Sequence, residues 1–309
     1  MVTYPRAGSS TPLVHADAYG PSGRSPWMDV DWSAQQRWVT VAGTPVNTIV
    51  MGEGPPLVFV HGLSGSWPNW LEQLPVFARD HRVVAMDLPG FGHSPMPREE
   101  ISIAGYARMI DALLDELGLD ACAVVGNSMG GFIAAELAIA VPQRVSSLVL
   151  VSAAGISTHA DPRTGRALPL LRRIDRVSAM SAAWLASRSD AATRRPRLRT
   201  ALLAVVARHP ERLPGALAAE QLRGAGKPGF LAALEALHGY EIRKRLPEIA
   251  CPTLIVWGEN DRLINARDAA VYADLIPDSE LSVFADTGHV AMLERPEAFN
   301  ALLRDFLTD

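Results

Sequence analysis

Residues 121–131 read Ala-Cys-Ala-Val-Val-Gly-Asn-Ser-Met-Gly-Gly, and Phe132 to Ala140 continue as an apolar, alanine-rich run. The first five residues form the short, continuously apolar run that a strand covered on both faces requires. Met129 to Ala140 has the composition of a helix. Only Gly126-Asn127-Ser128 separates the two, so the chain turns sharply from strand into helix. A serine on such a turn projects its hydroxyl over the sheet edge. Glycine two residues to either side lets backbones approach where a Cβ would clash.

Moving outward, the same apolar run recurs. It stands at Pro56-Leu57-Val58-Phe59-Val60, Arg82 to Met86, Ser147 to Val151, Thr253 to Trp257 and Leu281 to Phe284. Arg37 to Gly52 alternates like a strand pair around Ala42-Gly43-Thr44-Pro45 and reads as a hairpin. Between the runs, Ile101 to Leu119 spaces its apolar residues by threes and fours, which predicts a helix. Pro296 to Leu307 reads as another. Strands alternating with helices imply an α/β fold with a mostly parallel sheet, helices on both faces and right-handed crossovers.

One stretch breaks the rhythm. From Gly155 to Pro247 there are helical patterns and no convincing strand, so this reads as an inserted helical subdomain, 155–247, within a core formed by 35–154 and 248–309. It carries 17 Lys or Arg against 7 Asp or Glu, whereas the rest of the chain is acidic. Three readings stay open for that charge: complementing the acidic core, steering an anionic substrate, or touching an anionic lipid surface. Arg194 to Arg199 reads as a solvated face. Residues 1–34, rich in Pro, Gly and Ser, read as a mobile or loosely docked arm without the apolar stretch of a secretory signal.

The net charge of −4 over 309 residues argues against a general affinity for nucleic acid. No apolar run approaches the roughly 20 residues of a membrane span. Cys122 and Cys251 both begin strand-like runs and suit buried thiols better than a disulfide or a metal site. The expected compartment is the cytoplasm.

Gly126-Asn127-Ser128-Met129-Gly130 matches the G-x-S-x-G elbow that presents a nucleophilic serine. A serine hydroxyl needs a base. Among eight histidines, His289 follows the last strand in Asp286-Thr287-Gly288-His289, on a loop that reaches the same sheet edge. The base needs an orienting carboxylate. Asp261, in Gly258-Glu259-Asn260-Asp261, follows the strand ending at Trp257. Glu259 and Asp286 are its rivals and read as solvated loop charges. An acyl-transfer site also needs donors for a developing oxyanion. The backbone N–H groups of Leu63, in His61-Gly62-Leu63-Ser64-Gly65, and of Met129 at the helix start are the candidates.

Together, His61-Gly62, Asp87-Leu88-Pro89-Gly90-Phe91-Gly92-His93-Ser94, the Ser128 elbow and the Asp261 and His289 loops resemble the α/β-hydrolase superfamily, over about Arg37 to Leu307. The resemblance implies a mostly parallel eight-stranded sheet and makes 155–247 the cap. It implies no cofactor and no metal. Within the superfamily the chain resembles the serine esterase and monoacylglycerol-lipase-like branch. The run Gly126 to Gly131 also resembles the elbow of meta-cleavage-product C–C hydrolases, although Val290 stands where those often have tryptophan.

The expected reaction is hydrolysis of a carboxylic ester of small to medium acyl chain, by a monomer or homodimer. Its rivals are C–C bond hydrolysis, cofactor-free haloperoxidase chemistry and a ligand receptor that retains the triad. The expected substrate-facing set is His61, Gly62, Trp67, Asn127, Trp184 and Val290. His61 is expected to brace its loop rather than act as a base. Trp67 and Trp70 either line the acyl pocket or pack in the core. Met180, Trp184 and Phe230 either line a substrate tunnel or pack the cap.

Overall fold

The computed structural model describes residues 13–16, 18–157 and 193–308. Its strands are β1 (Leu13–Val14), β2 (Gln36–Val41), β3 (Thr44–Met51), β4 (Pro56–Val60), β5 (Arg82–Met86), β6 (Cys122–Asn127), β7 (Val145–Val151), β8 (Thr253–Gly258) and β9 (Ser279–Phe284). They form one sheet in the order β1-β9-β8-β7-β6-β4-β5-β3-β2. Pairing is parallel from β1 through to β5, and β3 is antiparallel to both of its neighbours. The sheet has nine strands rather than the expected eight. The additional one is β1, two residues of the N-terminal arm, too short to leave a periodic signal.

The helices that position the site are α1 (Ile103–Glu116), α2 (Met129–Ala140), α3 (Pro196–Leu203), α4 (Gly215–Arg223), α5 (Phe230–His238), α6 (Arg267–Leu275) and α7 (Pro296–Thr308). The central strands alternate their side chains between two cores. Val58, Val60, Val124, Leu148, Leu150 and Ile255 join the core that holds residues of α1 and α2. Leu57, Phe59, Val125, Val149, Val151 and Val256 join the core with Phe299 and Leu303 of α7. Each such side chain, removed fully from water, contributes about 1.5–3 kcal/mol. α2 buries eleven of its twelve residues, as a helix apolar on every face must. Its one charge, Glu136, accepts hydrogen bonds from Arg245 Nη1 at 2.8 Å and Tyr240 Oη at 2.5 Å. That ion pair ties the end of the cap to the helix behind the elbow.

The described residues of the arm pack on the core from β1 onward. Ser25 Oγ and Trp27 Nε1 donate to Glu72 at 2.7 and 2.8 Å, and Arg295 Nη1 donates to the carbonyls of Ala16 and Ala18. These polar anchors supply what the composition of the segment does not advertise. Of the segment expected to form the cap, the described residues 193–247 hold α3 to α5 and no strand. The segment 158–192, with Met180 and Trp184, lies outside the described residues. No helix among the described residues is long and apolar enough to cross a membrane. The thiol of Cys122 is pushed up to about 12 by burial, and Cys251 is half-buried; both are free.

Candidate active site

β6 ends at Asn127, and Ser128 makes the turn into α2 with φ 56° and ψ −118°. A non-glycine residue in that region costs about 1–3 kcal/mol, so the surroundings must hold it there. Its N–H donates to Val151 O at 2.9 Å, and its carbonyl accepts from Ala154 N at 3.0 Å and Phe132 N at 3.2 Å. A Cβ on Gly126 would lie 2.3 Å from Gly130 O, and one on Gly130 would lie 2.2 Å from Val60 O. Only glycine allows both approaches, which explains the flanking glycines at the level of atoms.

Asp261 and His289 come from the loops after β8 and β9. His289 Nδ1 lies 2.7 Å from Asp261 Oδ2, and both side chains are buried. Asp261 Oδ1 accepts from Leu263 N at 2.8 Å and Ile264 N at 3.0 Å, so the carboxylate is oriented by its own loop. An acceptor at that place keeps the proton of a neutral imidazole on Nδ1 and leaves the Nε2 lone pair available. The His289 carbonyl accepts from Asn127 Nδ2 at 3.3 Å, and its N–H donates to the cap carbonyl of Val206 at 2.9 Å. Glu259 is exposed and accepts from Asp286 N. Asp286 is a half-exposed loop charge with partners. It pairs with Arg208 and His209 of the cap, and although burial opposes ionisation, those two partners hold its carboxyl below the usual range.

Ser128 and His289 line one cavity of about 410 Å³. Gly62, Leu63, Asn127 and Val290 line it too, and Phe230 lines it from α5. The cap adds Leu203, Val206, Leu213, Leu234 and Leu237. Asn69 and Gln221, joined by a 2.6 Å hydrogen bond from Asn69 Nδ2, supply further polar lining. No Lys, Arg, Asp or Glu lines the cavity among the described residues. The N–H groups of Leu63 and Met129 have no acceptor among the described residues. The Met129 side chain itself is buried in the core.

Two expected substrate contacts are elsewhere. His61 is fully buried, accepts from Leu88 N through Nε2 at 2.9 Å and donates through Nδ1 to Gly62 O at 2.8 Å. Burial holds its pKa below the ordinary histidine value. It is a neutral brace for the loop that carries Leu63, and both ring nitrogens are occupied. Trp67 is not among the lining residues: its ring lies 4.8 Å from that of Trp32 in the arm, and its backbone N–H donates to Asp87 Oδ1 at 2.9 Å. Trp70 is a core residue against Phe59. Trp184 lies outside the described residues.

Sequence reading missed Asn69, Gln221 and Glu294. Glu294 is fully buried beneath the His289 loop. The signal for it was a lone acid in the apolar run Val290-Ala291-Met292-Leu293-Glu294, the pattern of a buried, partnered charge.

A family model described as alpha/beta hydrolase fold matches residues 55–296. The chain is 31% identical over 292 residues to the 2-hydroxymuconate semialdehyde hydrolase of Pseudomonas sp. strain CF600, covering 88% of this chain and 94% of the relative. It is 34% identical over 278 residues to the dihydrolipoyllysine-residue acetyltransferase component of the acetoin cleaving system of Cupriavidus necator, covering 90% and 70%. Among solved structures, Est816, an N-acyl homoserine lactone degrading enzyme, superposes with a TM-score of 0.68 at 30% identity, covering 87% of this chain and all of the other.

Proposed function

The chain belongs to the α/β-hydrolase fold family and is a hydrolase, and we propose that it is a serine hydrolase of uncharged carboxylic esters with small to medium acyl chains. One observation carries this reading. Ser128 and His289 face a cavity whose described walls are leucines, valines, phenylalanine and neutral amides. A substrate that buries a carboxylate there would lack a cationic partner among those walls, and a buried unpaired charge is costly.

In this mechanism His289 Nε2 takes the proton of Ser128 as Oγ attacks the ester carbonyl. The N–H groups of Leu63 and Met129 donate to the developing oxyanion, each donor supplying on the order of 3 kcal/mol of barrier lowering. Asp261 holds the Nδ1–H tautomer and stabilises the imidazolium. The alcohol leaves with the proton from Nε2. Water then attacks the acyl-serine, giving a proton back to His289, and the acid departs as the Ser128 O–H is restored. The cavity volume falls in the range of small-molecule sites, about 300–1,000 Å³.

A second reading, C–C hydrolysis of a dienoate ring-fission product, is favoured by the relatedness to 2-hydroxymuconate semialdehyde hydrolase. Initial rates on p-nitrophenyl esters of graded chain length, beside a dienoate substrate, separate the two. Ester turnover that disappears in Ser128→Ala supports the proposal. Dienoate turnover with negligible ester rate replaces it by the second reading.

A further inference from the structure

Three consecutive N–H groups of the histidine loop are held from outside the loop. His289 N donates to the cap carbonyl of Val206. Its two neighbours both donate to Glu294: Gly288 N at 2.9 Å to Oε2, and Val290 N at 3.3 Å to Oε1. Glu294 also accepts from the cap, through Arg208 N at 2.8 Å, and from the N-terminal arm, through Tyr19 Oη at 2.6 Å. Four donors converge on one buried carboxyl, which suits its ionised, acceptor-only form. Burial opposes that form and raises its pKa, and the four donors offset part of that cost.

Tyr19 is built into this junction. Its hydroxyl donates to Glu294 and accepts from His209 N of the cap at 2.7 Å. The guanidinium groups of Arg212 and Arg295 lie over its ring, 4.7 and 4.8 Å from the centroid. The next residue, Gly20, donates its N–H to the carbonyl of Glu294 itself at 2.6 Å. The arm is therefore pinned at the residue that anchors the histidine loop, and residue 19 lies outside the span matched by the family model.

We propose that the Tyr19–Glu294 pair is a positioning device through which the N-terminal arm and the cap together set the orientation of His289. The proposal rests on the reading of Ser128 and His289 as nucleophile and base. Tyr19→Phe removes one donor and leaves the ring and its packing. Glu294→Gln keeps the shape but presents an amide N–H₂ where an acceptor is needed.

The test is the pseudo-first-order labelling of the full chain by a fluorophosphonate probe, which reads Ser128 reactivity whatever the natural substrate. Both the rate constant and the final labelled fraction are recorded. The expected result is full labelling at a slower limiting rate with unchanged probe affinity, roughly three- to tenfold slower for Tyr19→Phe and about a hundredfold for Glu294→Gln. A purely structural role would lower the labelled fraction and leave the rate constant intact, and that outcome overturns the proposal. So does a wild-type rate in Tyr19→Phe, the variant that stands if Glu294→Gln fails to fold. A wild-type protein that is not labelled at Ser128 would instead overturn the reading of the site, and this inference with it.

Discussion

Replacing Asp261 by asparagine isolates the electronic role of a residue whose geometry is otherwise undisturbed. Its Oδ1 accepts from the N–H groups of Leu263 and Ile264, and its Oδ2 faces His289 Nδ1 at 2.7 Å. The asparagine oxygen remains on the two backbone donors, because leaving both unpaired would cost about 1–3 kcal/mol each. The amide nitrogen then faces Nδ1, which becomes an acceptor, and the imidazole proton moves to Nε2. In that tautomer His289 cannot take the Ser128 proton. Loss of the correct tautomer costs about four orders of magnitude in kcat. At 1.36 kcal/mol per tenfold, that is roughly 5 kcal/mol of barrier. No neighbouring acid takes over: Glu259 is exposed, and Asp286 is committed to Arg208 and His209. Asp261 does not line the cavity, so KM for a p-nitrophenyl ester stays within about twofold. Stopped-assay kinetics of Asp261→Asn beside the wild type measure this directly. A variant that keeps more than a tenth of wild-type kcat refutes the assignment of Asp261 as the orienting carboxylate.

Gly130→Ala places a Cβ 2.2 Å from the Val60 carbonyl and displaces the backbone beside the Met129 N–H; kcat is expected to fall roughly 10²–10³-fold, the cost of one oxyanion donor, in whatever fraction stays folded. Arg245→Met leaves Glu136, buried in α2, without its cation. Breaking a buried pair costs about 3–5 kcal/mol, and the partial exposure of Arg245 reduces that to about 2 kcal/mol, read as a lower urea midpoint that Glu136→Leu in the same chain partly restores. Burial holds His61 neutral in the folded chain, whereas the unfolded chain takes up a proton at about 6.5. The unfolded state therefore binds more protons as pH falls through about 6.5 towards the lower folded value, and stability is lost in that direction. Thermal unfolding at pH 7.5 and 5.5 should show a smaller loss in His61→Gln than in the wild type, and equal losses would remove His61 as a cause.

Much of the site was readable because its parts are local. The sharp turn at Ser128 needs glycine at positions 126 and 130, and those residues are adjacent in the chain. The loops carrying Asp261 and His289 follow short apolar runs, and in a parallel sheet such loops emerge at one edge. The hairpin followed from alternation, the helix of Ile103–Glu116 from a spacing of threes and fours, and the parallel strands from continuous apolar runs. Direction was less legible. For Trp67 and Trp70 the sequence left pocket lining and core packing open, and both pack, against the arm and the core. His61 braces its loop, with its ring taken up by Leu88 and Gly62.

The sequence by itself determined the fold class and the sharp strand-to-helix turn at Ser128, because backbone conformation and strand burial are set by residues within a few positions of one another. Only the tertiary structure decided which side chains meet. Tyr19 and Glu294 lie 275 residues apart and are joined by a 2.6 Å hydrogen bond. Among the described residues, the neutrality of the cavity walls emerges from segments far apart in the chain, from Gly62 to Leu293, brought to one place. Such contacts are paid for by global burial and leave no periodic trace, so no local pattern announces them.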